Sequence, residues 1–200
     1  MEFDLTIQPI RSWDAEGQAA FCKVAEEYGE HSNMNRHYPY DDRGLHWRGT
    51  EAQYQAMRFP HLPDHQEAIR NAPFMMGAKK VAYERKSETR PDWQEVKVHA
   101  MAYVLTRKLG AHDYAERLAA TGTRDIIEIS MRDAFWGAQP RNGKYVGRNM
   151  LGILLMQLRA GARILELPPG TFFPEAPIRP LEDAQLGFGG LDQPTRRFAR

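Results

Sequence analysis

The sequence predicts an α+β fold, predominantly α-helical and compact, a single domain with short strands and an irregular C-terminal arm. Three observations carry this expectation. The chain has 200 residues, 42% of them hydrophobic, which is long enough to bury a sizeable core. Apolar residues through its middle recur at helical spacing. The run Asp125 to Ile129 is short, β-branched and bounded by Gly122 and Ser130, so it reads as a strand.

Taken in chain order, Ala15 to Tyr28 is open to two readings. Periodicity favours a helix, while Phe21, Cys22 and Val24 could equally form a short strand. Thr50 fits an N-cap, with Glu51 in the first turn and Tyr54, Gln55, Arg58 and Phe59 at helical spacing until Pro60 stops the helix. A second helix starts at Asp92 or Trp93 and carries Val96, Ala100, Met101, Val104 and Leu105 as an apolar stripe to Gly110. A third covers about Asp113 to Ala120. After the strand comes a turn-rich loop, and from Asn149 the segment MLGILLMQLR sets Leu151, Leu154, Leu155 and Leu158 on one face and is apolar on most others, which predicts a central buried helix. From Gly161 onward the chain holds six of its 13 prolines and five of its 16 glycines, which removes backbone donors and interrupts any helix. Phe172, Phe173 and Leu186 suggest that parts of this arm pack back on the body or on another subunit, and Thr195 to Arg200 reads as a frayed basic end. The expected organisation is an N-terminal extension over 1–20, a domain over 21–160 and a Pro/Gly-rich arm over 161–200.

Composition excludes several function classes. Lys and Arg number 27 against 26 Asp and Glu, a formal charge of +1, so any nucleic-acid contact must be local rather than a general coating of DNA. One cysteine, Cys22, makes no internal disulfide, and no Cys/His cluster offers zinc, which fits a reducing compartment. The amino terminus lacks the apolar stretch of a signal peptide, and no run approaches the roughly 18 apolar residues of a membrane span. A cytoplasmic protein without membrane contact is expected.

Phosphate-loop, dinucleotide-binding, zinc-protease and serine-hydrolase fingerprints are all absent. Glu51 has two readings. It is a capping acid whose pKa the helix start keeps low, or, because Glu51, Gln55 and Arg58 follow at i, i+4 and i+7, it belongs to a helix face of acid, amide and base that lines a polar pocket. Met131 to Gly137, followed by Asn142-Gly143-Lys144 and Gly147-Arg148-Asn149, gathers an aspartate, a tryptophan and several donors around glycines. Each has a structural reading: Trp136 as core, Asp133 as an Asx-turn former, Asn149 as the cap of the last helix, Lys144 and Arg148 as solvated charges. Together they suit a ligand with a base, a ribose and phosphate. The seven histidines show no metal-ligand spacing, and five sit in the loop-rich first third, so no metal is expected.

Several ordered blocks resemble the NADAR family, also called YbiA-like. They are Gly29-Glu-His-Ser-Asn33, Trp47-Arg-Gly-Thr-Glu51-Ala-Gln-Tyr-Gln55-Ala-Met-Arg-Phe59, Arg90-Pro-Asp-Trp93-Gln-Glu-Val-Lys97, Asp133-Ala-Phe-Trp136-Gly137 and Gly147-Arg-Asn149-Met-Leu-Gly152. The resemblance spans roughly Phe21 to Arg159 and implies an N-glycosidase with a compact α-rich fold and a strand at Phe21 to Val24. It implies Glu51 as the essential glutamate, Trp93, Asp133, Trp136 and Asn149 as further signature positions, and Ser32-Asn33 as the early S-N element. Where many relatives carry an aromatic pair and a lysine, this chain has Ala52-Gln53 and Arg58. Charge is kept but a lysine nucleophile at that position is lost, and Lys79 and Lys80 are the nearest other amines.

The implied reaction is hydrolysis of a ribosyl C–N bond without a cofactor. Glu51 would stabilise oxocarbenium character or activate water, and Asp133 would protonate the departing amine or fix the ribose hydroxyls. Trp136 with Trp93 would stack on a base, Arg58, Lys80 or Arg148 would hold phosphate, and Ser32, Asn33, Gln55, Gly137 and Asn149 would complete the binding set. The favoured substrate is nucleic acid ADP-ribosylated on the guanine amino group. The alternatives are a phosphorylated ribosylamino-pyrimidine of the riboflavin pathway, or simple ADP-ribose or nucleotide binding without turnover.

Overall fold

The computed structural model describes residues 1–173. Six helices, α1 (Thr50–Ala56), α2 (Pro63–Asn71), α3 (Met75–Glu84), α4 (Trp93–Lys108), α5 (Tyr114–Ala120) and α6 (Met150–Arg159), surround and are trimmed by seven short strands. The α+β class read from the sequence is the one observed. α4 and α6 pack together at the centre. Leu151, Leu154, Leu155 and Leu158 of α6 are fully buried with Val104 and Leu105 of α4, and α1 lies against α4 with all seven of its residues buried.

Three sheets frame this helical core. β1 (Arg11–Asp14), β7 (Lys144–Gly147) and β6 (Ala138–Arg141) form an antiparallel sheet in the order β1-β7-β6, β2 (Ala19–Phe21) pairs in parallel with β5 (Ile126–Glu128), and β3 (Tyr40–Asp42) pairs with β4 (Leu45–Trp47) as a hairpin. Neither a helix over Ala15–Tyr28 nor a strand at Phe21–Val24 is observed. The strand ends at Phe21, because the Glu26 carboxylate collects the amides of Cys22 and Lys23 at 3.0 Å each and turns the chain. The region read as a turn-rich loop holds the β6–β7 hairpin. Asn142 and Gly143 have φ of 49° and 74°, the two left-handed residues of a tight hairpin turn, and Arg141 pairs with Lys144. β1, from the segment expected as an extension, completes this sheet on the far edge of β7.

Two helices went unread. α2 and α3 are separated by Ala72-Pro73-Phe74, and α2 buries only His65, Gln66 and Ile69, so its apolar stripe is too thin to show periodicity between Pro60, Pro63 and Pro73. At α1, Thr50 is the first helical residue rather than the cap. Its hydroxyl donates to the Asn33 Oδ1 at 3.0 Å, and the Asn33 carbonyl receives the Glu51 amide. The helix closes at Ala56 and continues in tighter turns, Arg58 N–H to Gln55 and Phe59 N–H to Ala56. Gln53 is fully buried. Its amide donates to Asp42 at 2.6 Å and accepts from the Tyr40 hydroxyl at 2.7 Å, while Tyr103 of α4 donates to the same Asp42. This polar knot fixes α1 against the β3–β4 hairpin and α4.

The start of α6 is the second junction. Asn149 has φ 51° and stands at the N-cap position of α6, as read from the sequence, but its side chain makes no capping bond to the helix. Its side chain donates to the Ile126 carbonyl at 2.8 Å and accepts the Glu128 amide at 3.0 Å, tying α6 to β5. The carbonyls of Ala134, Phe135, Trp136 and Gly137 in turn receive the amides of Arg148 to Leu151. Close approach is obligatory here, since a Cβ on Gly152 would lie 1.9 Å from the Ile126 carbonyl oxygen. The described part of the arm lies on the body. Arg90 donates to Thr171 and to the Pro169 carbonyl, Gln66 to the Phe172 carbonyl, and Phe173 packs on Trp47 with ring centroids 5.0 Å apart, while Phe172 is exposed. Leu186 and Thr195 to Arg200 lie outside the described residues.

Asn149→Ala leaves two buried backbone groups without partners, at roughly 1–3 kcal/mol each. Its urea unfolding free energy, followed by circular dichroism, is expected to fall by about 2–4 kcal/mol.

Candidate active site

A cavity of about 300 Å³ opens between α1, α3, α4, the loop Ser32 to Met34 before β3 and the segment from β5 to β6. Glu51, Gln55 and Arg58 enter it from α1 and its final turn, so the acid–amide–base face read from the spacing is real. Gln55 donates from Nε2 to Glu51 Oε1 at 3.0 Å, and Arg58 Nη1 donates to Gln55 Oε1 at 2.9 Å. Because the guanidinium can only donate, it fixes which end of the Gln55 amide faces the carboxylate. Arg58 is itself held by Thr89 at 2.7 Å and lies against Phe59, Tyr83 and Trp93, with its carbon 5.9 Å from the Trp93 ring centre.

The other expected residues divide. Ser32, Asn33, Trp93, Asp133 and Trp136 line the same cavity; Lys80, Gly137, Arg148 and Asn149 do not. Lys80 is exposed one position past the residue that points inward, since α3 turns Lys79 toward Glu51, Nζ to Oε1 3.9 Å. Arg148 is engaged with the Gln8 carbonyl, Asn149 with β5, and Gly137 backs onto the Glu128 carbonyl, 2.5 Å from where a Cβ would be. All three shape the loop and its neighbours from behind.

Asp133 is both Asx-turn former and cavity residue. Its Oδ1 accepts the amides of Phe135 at 2.9 Å and Trp136 at 3.0 Å, which sets the indole in place. Tyr54 then joins the two tryptophans, 5.1 Å from the Trp93 ring and 5.8 Å, edge to face, from that of Trp136, as a continuous aromatic wall. Lys79, Lys86 and Lys97 add positive charge around the cavity, and Lys97 sits 3.8 Å over the Phe135 ring.

Sequence reasoning missed Glu128 and Tyr54, and of the adjacent pair Lys79 and Lys80 it placed Lys80 in the binding set. Glu128 looked like the last polar residue of a strand, and only the pairing of β5 with β2 and α6 brings it beside the cavity. Tyr54 had been counted in the helical pattern alone. Lys79 shared its adjacent pair with Lys80, and the spacing on α3 could have chosen between them had that helix been read.

The electrostatics reverse one expectation. Glu51 was expected to have a low pKa at its helix start, but burial pushes its carboxyl above the ordinary range, and Lys79, the Gln55 amide and Arg58 only partly oppose this. Burial also pushes Glu128 up to about 7, with the negative charges of Glu51 and Asp133 adding and Lys79 opposing. Among the described residues no group of three His, Cys, Asp or Glu side chains is gathered as a metal site, and no helix is long and apolar enough to cross a membrane.

The NADAR domain profile matches residues 18–163. The chain is 33% identical over 140 residues to the N-glycosidase YbiA of Shigella boydii, covering 70% of this chain and 84% of that relative. It is 34% identical over 153 residues to a riboflavin biosynthesis protein of Vibrio vulnificus, a match that takes in 75% of this chain and 40% of the relative. The NMR structure of the Escherichia coli protein YbiA superposes with a TM-score of 0.62 at 30% identity, over 72% of this chain and 84% of that one.

Neutralising a capping acid destabilises a protein, whereas neutralising a buried acid with a raised pKa does the opposite. Folded Glu51 keeps its proton to higher pH than the unfolded chain does, so ionising it with rising pH costs stability. Glu51→Gln is therefore expected to melt above wild type at pH 7 by calorimetry, with the gap closing as pH falls toward the range where the unfolded carboxyl also protonates.

Proposed function

The chain belongs to the NADAR family, and from that premise we propose that it is a hydrolase of ribosyl C–N bonds that removes ADP-ribose from the guanine amino group of ADP-ribosylated nucleic acid. The observation that carries this reading is the single cavity in which a buried carboxylate, Glu51, faces an aromatic wall and a set of cations. Cleaving a bond at an anomeric carbon builds positive charge on the sugar and needs a carboxylate close to it. Glu51 answers both requirements, and its raised pKa suits a base that takes a proton from water near neutrality.

The supporting parts follow from what each side chain already does. Tyr54, Trp93 and Trp136 offer flat apolar faces to the base, with Trp136 aimed by Asp133. Asp133 has Oδ2 left for the ribose hydroxyls. Lys79, Lys86, Lys97 and Arg58 serve phosphate, and Lys79 replaces Lys80 in the expected set. Ser32 and Asn33 line the cavity from the loop whose carbonyls hold the start of α1. In duplex nucleic acid the modified base must leave the stack, so a single strand is the easier substrate.

A second enzymatic reading has its own support. A cavity of about 300 Å³ is at the small end of the range for ligand sites, which suits a singly phosphorylated ribosylamino-pyrimidine, and one relative is named for riboflavin biosynthesis. For an ADP-ribosyl substrate the adenosine half must then extend past the cavity mouth.

Wild type and Glu51→Gln are to be incubated with guanine-ADP-ribosylated single-stranded DNA and, separately, with the phosphorylated ribosylamino-pyrimidine, and products followed by mass spectrometry. Free ADP-ribose released by wild type, with turnover lowered by about 10²–10⁴ in Glu51→Gln while binding persists, is the expected result. Cleavage of the pyrimidine alone selects the second reading, and binding without turnover of either sinks both in favour of a nucleotide-binding module.

A further inference from the structure

We propose that Glu128 is the group that protonates the departing amine. This assignment rests on the glycosidase reading above and deepens it by naming the acid partner of Glu51.

The geometry comes first. Glu128 ends β5, pairs with Phe21 of β2 and has its backbone amide fixed by the Asn149 side chain at 3.0 Å, so its Cα is held by two elements. Glu128 lines the cavity from the end of β5, whereas Glu51 enters from α1. The two acids are treated differently. Glu51 receives a hydrogen bond from Gln55 and has Lys79 beside it, both of which favour the anion. Among the described residues no donor bonds the Glu128 carboxyl. Asp133, the other acid of the cavity, is already occupied at Oδ1 with two backbone amides and sits on an exposed loop.

Glu51 of α1 and Asp133 face it as like charges, and Lys79 of α3 is the opposing cation. β2 carries no titratable side chain, and α6 carries only Arg159, which is engaged with Thr121 and the Arg124 carbonyl. Burial and two neighbouring carboxylates thus push the Glu128 carboxyl up to about 7, while at Glu51 the Gln55 amide and Lys79 favour the anion. Such a split gives one acid and one base in a single pocket.

The step balances. The C1′–N bond breaks with its electron pair on nitrogen, the Glu128 carboxyl proton goes to that nitrogen, and the oxygen of a water bonds to C1′ as Glu51 takes its proton. The products are a neutral amine and a ribose with a free anomeric hydroxyl. Glu128 is left ionised and Glu51 protonated, and exchange with bulk water restores both.

The test compares two leaving groups. One substrate is the amine-linked ribosyl compound that wild type turns over; the other is a 4-nitrophenyl riboside with the same 5′-phosphoryl group, whose phenolate departs without a proton. Glu128→Gln, a shape match for the protonated acid, should lose about 10²–10⁴ in kcat on the amine and stay within roughly threefold of wild type on the nitrophenyl compound. In wild type itself, the fall in kcat/KM on the alkaline side of about pH 7 should be present with the amine and absent with the nitrophenyl compound, a measurement that needs no variant. Equal losses on both substrates, or amine turnover by Glu128→Gln at the wild-type rate while Glu51→Gln is inert, would overturn this assignment and leave the glycosidase reading standing. A wild type inert on every riboside would overturn both.

Discussion

The Asn149 side chain holds the site together from behind. It bonds to the two exposed ends of β5, the Ile126 carbonyl and the Glu128 amide, and its left-handed backbone starts α6 in a direction that lets the carbonyls of Ala134 to Gly137 take the first free amides of that helix. A helix start normally needs side-chain caps or water. Here the loop that carries Asp133 and Trp136 supplies that need, so the start of the helix and the position of this loop are fixed together. Gly152 is part of the same constraint, because a side chain there would collide with Ile126 and push β5 off α6.

A second set of interactions holds the opposite side of the cavity at a cost in buried charge. Lys108, fully buried on α4, donates to the carbonyls of Glu30 and Ser32 and lies 4.3 Å over the Tyr114 ring. Burial lowers its pKa to about 7, and the same burial with the charges of Lys108 and Arg159 drives neighbouring His31 to about 3, a neutral ring against Phe21 and Tyr114. An ammonium without a carboxylate partner is an expensive anchor. What it secures is the segment leading into Ser32 and Asn33, whose carbonyl in turn receives the Glu51 amide. The cavity thus sits between two buried polar junctions, Lys108 on one side and Asn149 on the other, and the carboxylates between them are poised by desolvation more than by partners.

Arg58 holds the far end of the α1 face. The planar guanidinium spans Gln55 and Thr89 and stacks among Phe59, Tyr83 and Trp93, which a point charge on a flexible stem could not do at once. The amine facing Glu51 then comes from another helix, as Lys79. Gln53 joins the Asp42–Tyr40–Tyr103 knot beneath α1.

Local pattern alone determined the α-rich class, the helices α1, α4, α5 and α6, the β5 strand and the Glu51–Gln55–Arg58 face, because each depends on side chains within two or three turns of one another. Helix α2 escaped because too few of its residues are buried, and β1, β6 and β7 because strands are stabilised by partners far away in sequence. Motif blocks named Trp93, Asp133, Trp136 and Asn149 as signature positions without separating cavity walls from scaffolding; only the packed chain shows Asn149, Gly137 and Arg148 to be structural. Tertiary structure likewise decided the ionisation of Glu51, whose helix-start position argued for a low pKa and whose burial imposed a raised one. Desolvation by the surrounding elements and the approach of Lys79 from α3 are properties of folded neighbours, and no spacing along the chain encodes them.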